Sequence, residues 1–265
     1  MTTPDVPIRM ELSFELPGPP ELVWDAVATA NGISSWSMPT DVEERIGGTV
    51  VTHMTEHDSS TGTVTGWDPP RRFAYEEPDW AAFVGHEGAP VTPLATEFVI
   101  DARPDGTCVL RVVTSALGTG ADWEQGFLDE MQKYWVPYFD NLPLYLTHFA
   151  GQRVTSLLAQ ASVPGDGATV WSAMRRALGV GAVGQPVEVR GVSGLLERIG
   201  ESRLLLRVTD PVSGLLEFAA LDRGDGSTWT QVTGYLFSAD APGYVQREQP
   251  AWRAWLQGLA VPAAS

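Results

Sequence analysis

The densest group of side chains that could do chemistry is a run of four titratable residues, His53, Glu56, His57 and Asp58. Imidazole and carboxylate groups are typical zinc ligands, and a histidine near a carboxylate is a common general base. The run lies in a predicted strand, where residues i and i+4 share a face about 13 Å apart at about 3.3 Å per residue. His53 and His57 cannot share one metal ion at that spacing. We therefore expect a solvated strand edge here and no metal site.

A second chemical candidate is Glu97, which recurs as Glu217 in a similar sequence context. A carboxylate that faces an apolar cavity has a raised pKa and can act as a general base. Strand alternation places Glu97 on the face opposite Phe98 and Ile100, which have the character of core residues. We therefore expect Glu97 to face solvent.

The signatures of common enzyme classes are absent from the sequence. It contains no G-x-G-x-x-G after a strand, no phosphate-binding loop, no H-E-x-x-H and no G-x-S-x-G. Its one cysteine, Cys108, lies in a strand-like run and has no partner for a disulfide or a cysteine-based zinc site. The sequence thus predicts no catalytic residue, no metal and no cofactor.

Aromatic residues are the strongest candidates for binding. Trp and Tyr combine a large apolar ring with one polar atom, which suits a pocket that has a few polar groups. Two of them lie in residues 78–94, a segment too long for an ordinary hairpin and suited to a lid over a ligand. The predicted ligand-binding residues are Trp36, His53, Trp67, Tyr75, Trp80, Phe83, Trp123 and Trp135.

The elements that would position these residues follow one order in the first half of the chain. A strand over residues 8–16 precedes a helix over 22–30, which Asn31-Gly32 should end. Turn signals then separate five strands, over 49–56, 62–67, 72–76, 97–102 and 107–115. A long amphipathic helix follows from Asp122, and Pro137 and Pro143 should kink or interrupt it. The helix and the sheet each have one apolar face, so each must cover the other.

The second half of the chain repeats this order in a shortened form. Val23-Trp24 recurs as Val170-Trp171 at an offset of 147, Gly62 and Arg71 as Gly194 and Arg203 at 132, and Glu97-Phe98 as Glu217-Phe218 at 120. Because the offset falls, the second copy lacks 15 residues after its first helix and 12 residues before its fifth strand. The first copy has residues 33–61 and 78–94 at these two places. We predict a complete domain over residues 1–151 and a shortened, degenerate one over 152–265.

The ordered cues of the first copy resemble the activator-of-heat-shock-protein-90-ATPase-homologue group of the START-like, or birch-pollen-allergen-like, superfamily. The cues are Pro20-Glu-Leu-Val-Trp-Asp-Ala26, Trp36, Gly47-Gly48, the run over 62–73, Asp105-Gly-Thr107 and Trp135. The resemblance implies an α+β helix-grip fold, in which a curved antiparallel sheet surrounds a long C-terminal helix, here in two tandem copies. Such folds often enclose an apolar cavity between sheet and helix.

Three functions follow from the resemblance. Members of the superfamily bind lipids, steroids or polyketides, some act as cyclases or aromatases, and others are chaperone cofactors or stress-associated proteins. Our leading hypothesis is a small hydrophobic or aromatic ligand held in the first domain, with the second domain as a structural or dimerising partner. The alternatives are a polyketide cyclase or aromatase-like enzyme and a chaperone-related or stress-associated interaction module that uses an acidic surface. A homodimer and a chaperone contact remain open.

Charge and hydropathy exclude other partners. The chain has 33 acidic and 17 basic residues, a net charge of −16, which is opposite in sign to a phosphate-backbone binder. No segment approaches the roughly eighteen consecutive apolar residues that a membrane span requires. The first residues lack the basic start and apolar run of a signal peptide. We predict no nucleic acid partner, no membrane span and a cytoplasmic location.

Overall fold

A computed structural model describes residues 5–55 and 57–259 of the chain. The chain divides into two compact units, Met1–Gln152 and Arg153–Ser265. Each unit contains one antiparallel sheet and its own helices. This arrangement confirms the predicted α+β class and the tandem helix-grip fold.

The first unit begins with the predicted strand and helix and continues with the strand meander. Its elements are β1 Val6–Pro17, α1 Pro20–Ala28, α2 Ala30–Ser34, β2 Thr40–Val42, β3 Thr49–His53, β4 Ser59–Asp68, β5 Arg72–Glu77, α3 Trp80–Phe83, β6 Leu94–Ala102, β7 Thr107–Gly118, α4 Asp122–Tyr134, a 3-10 helix Val136–Asp140 and α5 Leu142–His148. Within the described residues the sheet has the order β1-β7-β6-β5-β4-β3-β2. The prediction missed β2, because three residues are too few to show alternation.

The helix after β1 does not end at Asn31-Gly32 as predicted. Thr29 interrupts it in an extended conformation, and its hydroxyl accepts a hydrogen bond from the Gly32 backbone N–H at 3.0 Å. That bond caps the N-terminus of a second short helix, α2, which contains both residues. The predicted strand over 49–56 is also shorter, since β3 ends at His53, and Glu56 lies outside the described residues.

The long C-terminal helix is interrupted near both prolines, as predicted. The α4 helix ends at Tyr134, and Pro137 is the second residue of the 3-10 segment that begins at Val136. Pro143 occupies the first turn of α5, where the missing N–H has no helical partner to lose. The amphipathic stripe thus continues through three helical pieces.

The second unit has the same element order with fewer elements. It consists of β8 Thr155–Pro164, α6 Gly167–Leu178, β9 Pro186–Val189, β10 Val192–Ile199, β11 Arg203–Asp210, β12 Gly214–Asp222, β13 Ser227–Leu236 and α7 Ala241–Gln257. Three residues connect β11 to β12, where the first unit has α3 and its flanking loop. Pro250 lies inside α7 and does not begin it, since the helix starts at Ala241 with Pro242 in its first turn.

Strand pairing corrects one detail of the repeat. Phe73 lies opposite Phe98, and Leu204 lies opposite Phe218, so Arg203 has the register of Arg72 and not of Arg71. The register of β4 on β5 shifts between Val64 and Gly66. A bulge of this kind adds a residue to one strand, so the sequence offset between the two copies differs by one residue on its two sides.

Candidate functional site

The inner face of the first sheet, which carries the phenylalanines packed against the C-terminal helical stretch, contains a row of polar side chains. Tyr75 on β5 lies opposite Thr96 on β6, and Thr96 lies opposite Thr114 on β7. The two threonine hydroxyls are 3.3 Å apart and fully enclosed. Buried hydroxyls need such partners, so the two threonines satisfy each other, and Tyr75 extends the polar row onto β5.

Glu77 extends this row along β5, because residues two apart on a strand share a face. The Ser60 hydroxyl on β4 donates a hydrogen bond to Glu77 Oε1. Burial raises the pKa of Glu77, and the bond from Ser60 opposes the rise only in part. Burial, followed by the charge of Glu77, raises the pKa of Tyr75 as well. Both groups therefore hold their protons more strongly than they would in water.

Apolar side chains beside this row remain partly exposed. Met10, Leu12 and Phe14 alternate along the inner face of β1, and α4 lies against that strand. None of the three is sealed from solvent, and the same is true of Phe127 and Met131 on the apolar stripe of α4 and of Trp135, which directly follows α4. We call the surface formed by these six residues, together with Tyr75 and Glu77 on the inner face of β5, the cleft.

An aromatic cluster closes one end of the cleft. Phe139 is 1% exposed and stacks on Phe14, with ring centroids 4.8 Å apart and planes within 6°. Trp135 meets Phe139 edge-on at 4.8 Å, and Trp36 lies 5.0 Å from the same ring. The 3-10 segment is thereby anchored to the sheet, while Trp135 links the anchor to α4.

The segment between β5 and β6 closes over the other end of α4. Trp80 is 3% exposed, and its indole N–H donates to the Thr92 carbonyl at 2.9 Å. Its ring lies 5.5 Å from Trp123 and 4.6 Å from Phe127, both on α4. The His86 ring stacks on Trp123 at 4.1 Å. We call this segment the lid, and its closure over a ligand stays a prediction.

The eight residues predicted to bind a ligand fall into three places. Tyr75 and Trp135 line the cleft, and Trp80 and Trp123 form the contact between lid and α4. Trp36 and Trp67 lie in the aromatic packing: the Trp36 indole donates to the Ala26 carbonyl, and Trp67 lies between Trp24 and Phe73. His53 and Phe83 lie apart from these groups. Contact of any of the eight with a ligand stays a prediction.

His53 lies near the free edge of the sheet and is partly exposed. Its Nε2 is 2.9 Å from Asp41 Oδ2, and its Nδ1 is 3.2 Å from Ser59 Oγ. Its strand neighbour Thr52 occupies the opposite face, close to Thr40. The imidazole is therefore directed away from the cleft.

Glu97 also lies on the outer face. Its carboxylate is paired with Arg72 and is 34% exposed, as expected from the alternation with Phe98. Among the described residues, no group of three or more His, Cys, Asp or Glu side chains could hold a metal ion. None of the described helices is long and apolar enough to cross a membrane.

The carboxylate that sequence reasoning missed is Glu77. The prediction ended the third strand of the meander at Glu76, which left Glu77 in a loop. In the structure β5 continues through Glu77, which lies opposite Leu94. The signal was present in the alternation of Phe73, Tyr75 and Glu77.

The sheet that grips a C-terminal helical stretch, repeated once along the chain, defines the START-like helix-grip class of proteins. Residues 17–147 match the family model described as Activator of Hsp90 ATPase homolog 1-like protein. This match lies within the first unit and confirms the resemblance found in its sequence.

Several solved structures are similar to the chain at low sequence identity. The di-domain ARO/CYC BexL from the BE-7585A biosynthetic pathway is 11% identical, with 95% of this chain and 96% of that chain covered and a TM-score of 0.44. DynU16, from the dynemicin biosynthetic locus, is 15% identical, with 97% of both chains covered and a TM-score of 0.41. The Aha1 dimer from Colwellia psychrerythraea is 14% identical, with 52% of this chain and 95% of that chain covered and a TM-score of 0.41. No curated protein sequence matches the chain.

Proposed function

We propose that the first unit binds a small hydrophobic or aromatic molecule in the cleft. The observation that carries the proposal is the partial exposure of Met10, Leu12 and Phe14 on the inner face of the sheet. Apolar side chains on the inner face of a sheet are normally sealed by the covering helix, because burial of apolar surface stabilises the fold. A ligand of matching shape would supply the missing contacts.

The second unit supports this interpretation by contrast. Strand pairing places Leu157, Ala159 and Ala161 of β8 at the register of Met10, Leu12 and Phe14. All three are buried in one apolar core with Phe218 and Trp252. The same strand position is thus sealed in one unit and accessible in the other. We accordingly assign binding to the first unit and a structural role to the second.

The test is a fluorescence titration of the full chain with N-phenyl-1-naphthylamine, a neutral aromatic probe that brightens in apolar surroundings. We expect saturable binding to the native protein and at least a tenfold loss in Leu12→Trp, which fills the cleft. Ser13→Trp is the matched control, since Ser13 is exposed on the opposite face of the same strand. It should bind the probe like the native chain.

Two results would overturn the proposal. One is the absence of saturable binding to the native protein. The other is equal affinity in Leu12→Trp and Ser13→Trp. Leu12→Ala is a second variant at this position, for the case in which Leu12→Trp does not fold. It enlarges the cleft and keeps an apolar side chain, so it should retain binding.

Proton transfer to a bound substrate, as in a cyclase or aromatase-like enzyme, is a second function that one observation favours. Glu77 borders the cleft, and burial raises its pKa toward the range in which a carboxyl group can act as a general acid. An aryl methyl ketone incubated with the protein in deuterium oxide should then exchange its methyl protons faster than in buffer, as measured by NMR. Exchange that is equal in the native protein and in Glu77→Gln would exclude this role for Glu77.

A further inference from the structure

Among the described glutamates, Glu124 and Glu217 are enclosed by protein and Glu77 is partly buried on the inner face of the sheet, and the partners of their carboxyl groups differ. Glu124 accepts hydrogen bonds from the Thr119 N–H at 2.8 Å, the Thr119 hydroxyl at 3.0 Å and the Gly120 N–H at 2.8 Å. Glu217 is paired with Arg203. Glu77 receives one hydrogen bond, from the neutral hydroxyl of Ser60. Among the described residues no cation pairs with it.

This difference decides the charge state of Glu77. An ionised carboxylate taken out of water costs several kcal/mol unless cations or several donors surround it. Glu124 and Glu217 meet that requirement, whereas one hydroxyl does not. The titratable group that faces Glu77 is Tyr75, which is itself neutral and offers no compensating charge. Burial thus shifts the carboxyl group of Glu77 toward its protonated form, which presents an O–H donor beside the cleft.

We infer that the cleft selects neutral aromatic or aliphatic molecules that carry a carbonyl-type acceptor oxygen, and that the protonated Glu77 carboxyl donates the hydrogen bond to that oxygen. The inference rests on the proposed binding function and adds the chemical class of the ligand. The apolar walls hold the hydrocarbon part, and Glu77 with Tyr75 forms the polar end. Ketones, quinones and esters fit this description.

The same arrangement rejects anionic ligands. A carboxylate placed beside Glu77 would lose its hydration, and the cleft offers it no cation in return. A cleft with an arginine at this position would instead prefer anionic ligands, because a guanidinium group binds a carboxylate through two parallel hydrogen bonds. The chain bears a net charge of −16, which adds a long-range repulsion in the same direction.

Three naphthalene probes of nearly equal size separate these properties. They are 2-acetylnaphthalene, a neutral ketone, 2-ethylnaphthalene, which lacks an acceptor, and 2-naphthoate, an anion. At neutral pH we expect the ketone to bind the native chain about tenfold more tightly than the hydrocarbon, as one hydrogen bond in an enclosed site provides. Naphthoate should bind more weakly than both. Isothermal calorimetry or ligand-observed NMR gives the affinities.

Variants of Glu77 identify the donor. Glu77→Gln retains an N–H donor and should keep the ketone preference, whereas Glu77→Leu should reduce it to about the level of the hydrocarbon. Glu76→Gln is the matched control, because Glu76 is exposed on the opposite face of the same strand and should leave all three affinities unchanged.

The outcomes separate this inference from the function on which it rests. If none of the three probes binds, the proposed cleft fails. If the probes bind but naphthoate is the tightest, or the ketone has no advantage over the hydrocarbon, the cleft stands and the inference is overturned. A ketone advantage that survives in Glu77→Leu would also overturn it. If Glu77→Leu does not fold, two results still test the inference. They are the order of the three affinities in the native chain and the same order in Glu77→Gln.

Discussion

Glu97 and Glu217 occupy the same position in the two sheets, and each is paired with an arginine of the neighbouring strand. Each directly precedes a phenylalanine of the inner face, Phe98 or Phe218, and lies opposite a residue of the preceding strand. The Glu97 side chain is 34% exposed, whereas the Glu217 side chain is 1% exposed. One ancestral pair has thus become a surface contact in one unit and an enclosed ion pair in the other.

The two positions should respond very differently to loss of the carboxylate. Glu217→Ala leaves the Arg203 charge enclosed without its partner and should lower the free energy of unfolding by about 3–5 kcal/mol. Glu97→Ala should cost less than about 1 kcal/mol, because exposed ion pairs contribute little. Urea denaturation followed by tryptophan fluorescence measures both. Equal effects would contradict the assigned environments.

Glu77 should make the protein less stable as the pH rises. Its folded pKa lies above its ordinary value of 4.5, so the folded state binds the proton more tightly than the unfolded chain does. The free energy of unfolding should therefore fall as pH increases from about 4.5 to the raised pKa, by up to about 1.4 kcal/mol per pH unit. Glu77→Gln should remove this slope, and Glu76→Gln should retain it. Identical pH profiles for the two variants would show that Glu77 titrates normally.

Glu124 should have the opposite pH dependence. Burial would raise its pKa, but the hydrogen bonds from Thr119 and Gly120 outweigh burial and lower it below 4.5. Its contribution to stability is therefore complete above pH 4.5 and is lost as the pH falls through the lowered pKa. At neutral pH Glu124→Ala should cost about 1–3 kcal/mol. Glu130→Ala, at an exposed position of the same helix, is the control and should cost less than about 0.5 kcal/mol.

The contact of the lid with α4 should depend on Trp80. Trp80→Ala removes a buried ring and should destabilise the first unit by about 3 kcal/mol or more. Hydrogen exchange of residues 78–94 should accelerate at the same time. Phe83→Ala, in the same short helix, removes a ring that is 48% exposed and should change neither quantity appreciably. Unchanged exchange in Trp80→Ala would mean that other contacts hold the lid.

The tandem fold could be predicted because its signals are distributed over many residues. These signals are the alternation in the strands, the apolar stripe from Trp123 to Phe149 and the recurring Asp-Gly turns. Each remains recognisable when a few positions do not fit the pattern. The signal for the end of a helix or strand is not distributed over many residues in this way. Ending β5 one residue early at Glu76 removed Glu77 from the sheet, and with it the partly buried carboxyl group of the cleft.

The character of the cleft could not be predicted, since it depends on packing and not on residue type. Trp36 and Tyr75 both have the composition of pocket residues. Trp36 is sealed because its N–H finds the Ala26 carbonyl inside the core, while Tyr75 remains partly exposed beside α4. Likewise, the bulge between Val64 and Gly66 shifts the register by one residue without any sequence signature of its own.

The division of the C-terminal helical stretch into three pieces has a kinetic consequence. Among the residues of α4 only Glu124 is fully buried, whereas α5 buries Leu142, Tyr145 and Leu146. Segments with few buried contacts open at a small fraction of the free energy of global unfolding. The residence time of a bound molecule would then be set by local detachment of α4, with α5 and the aromatic anchor at Phe139 still in place. On the proposed function, the unit would exchange a ligand without losing its fold.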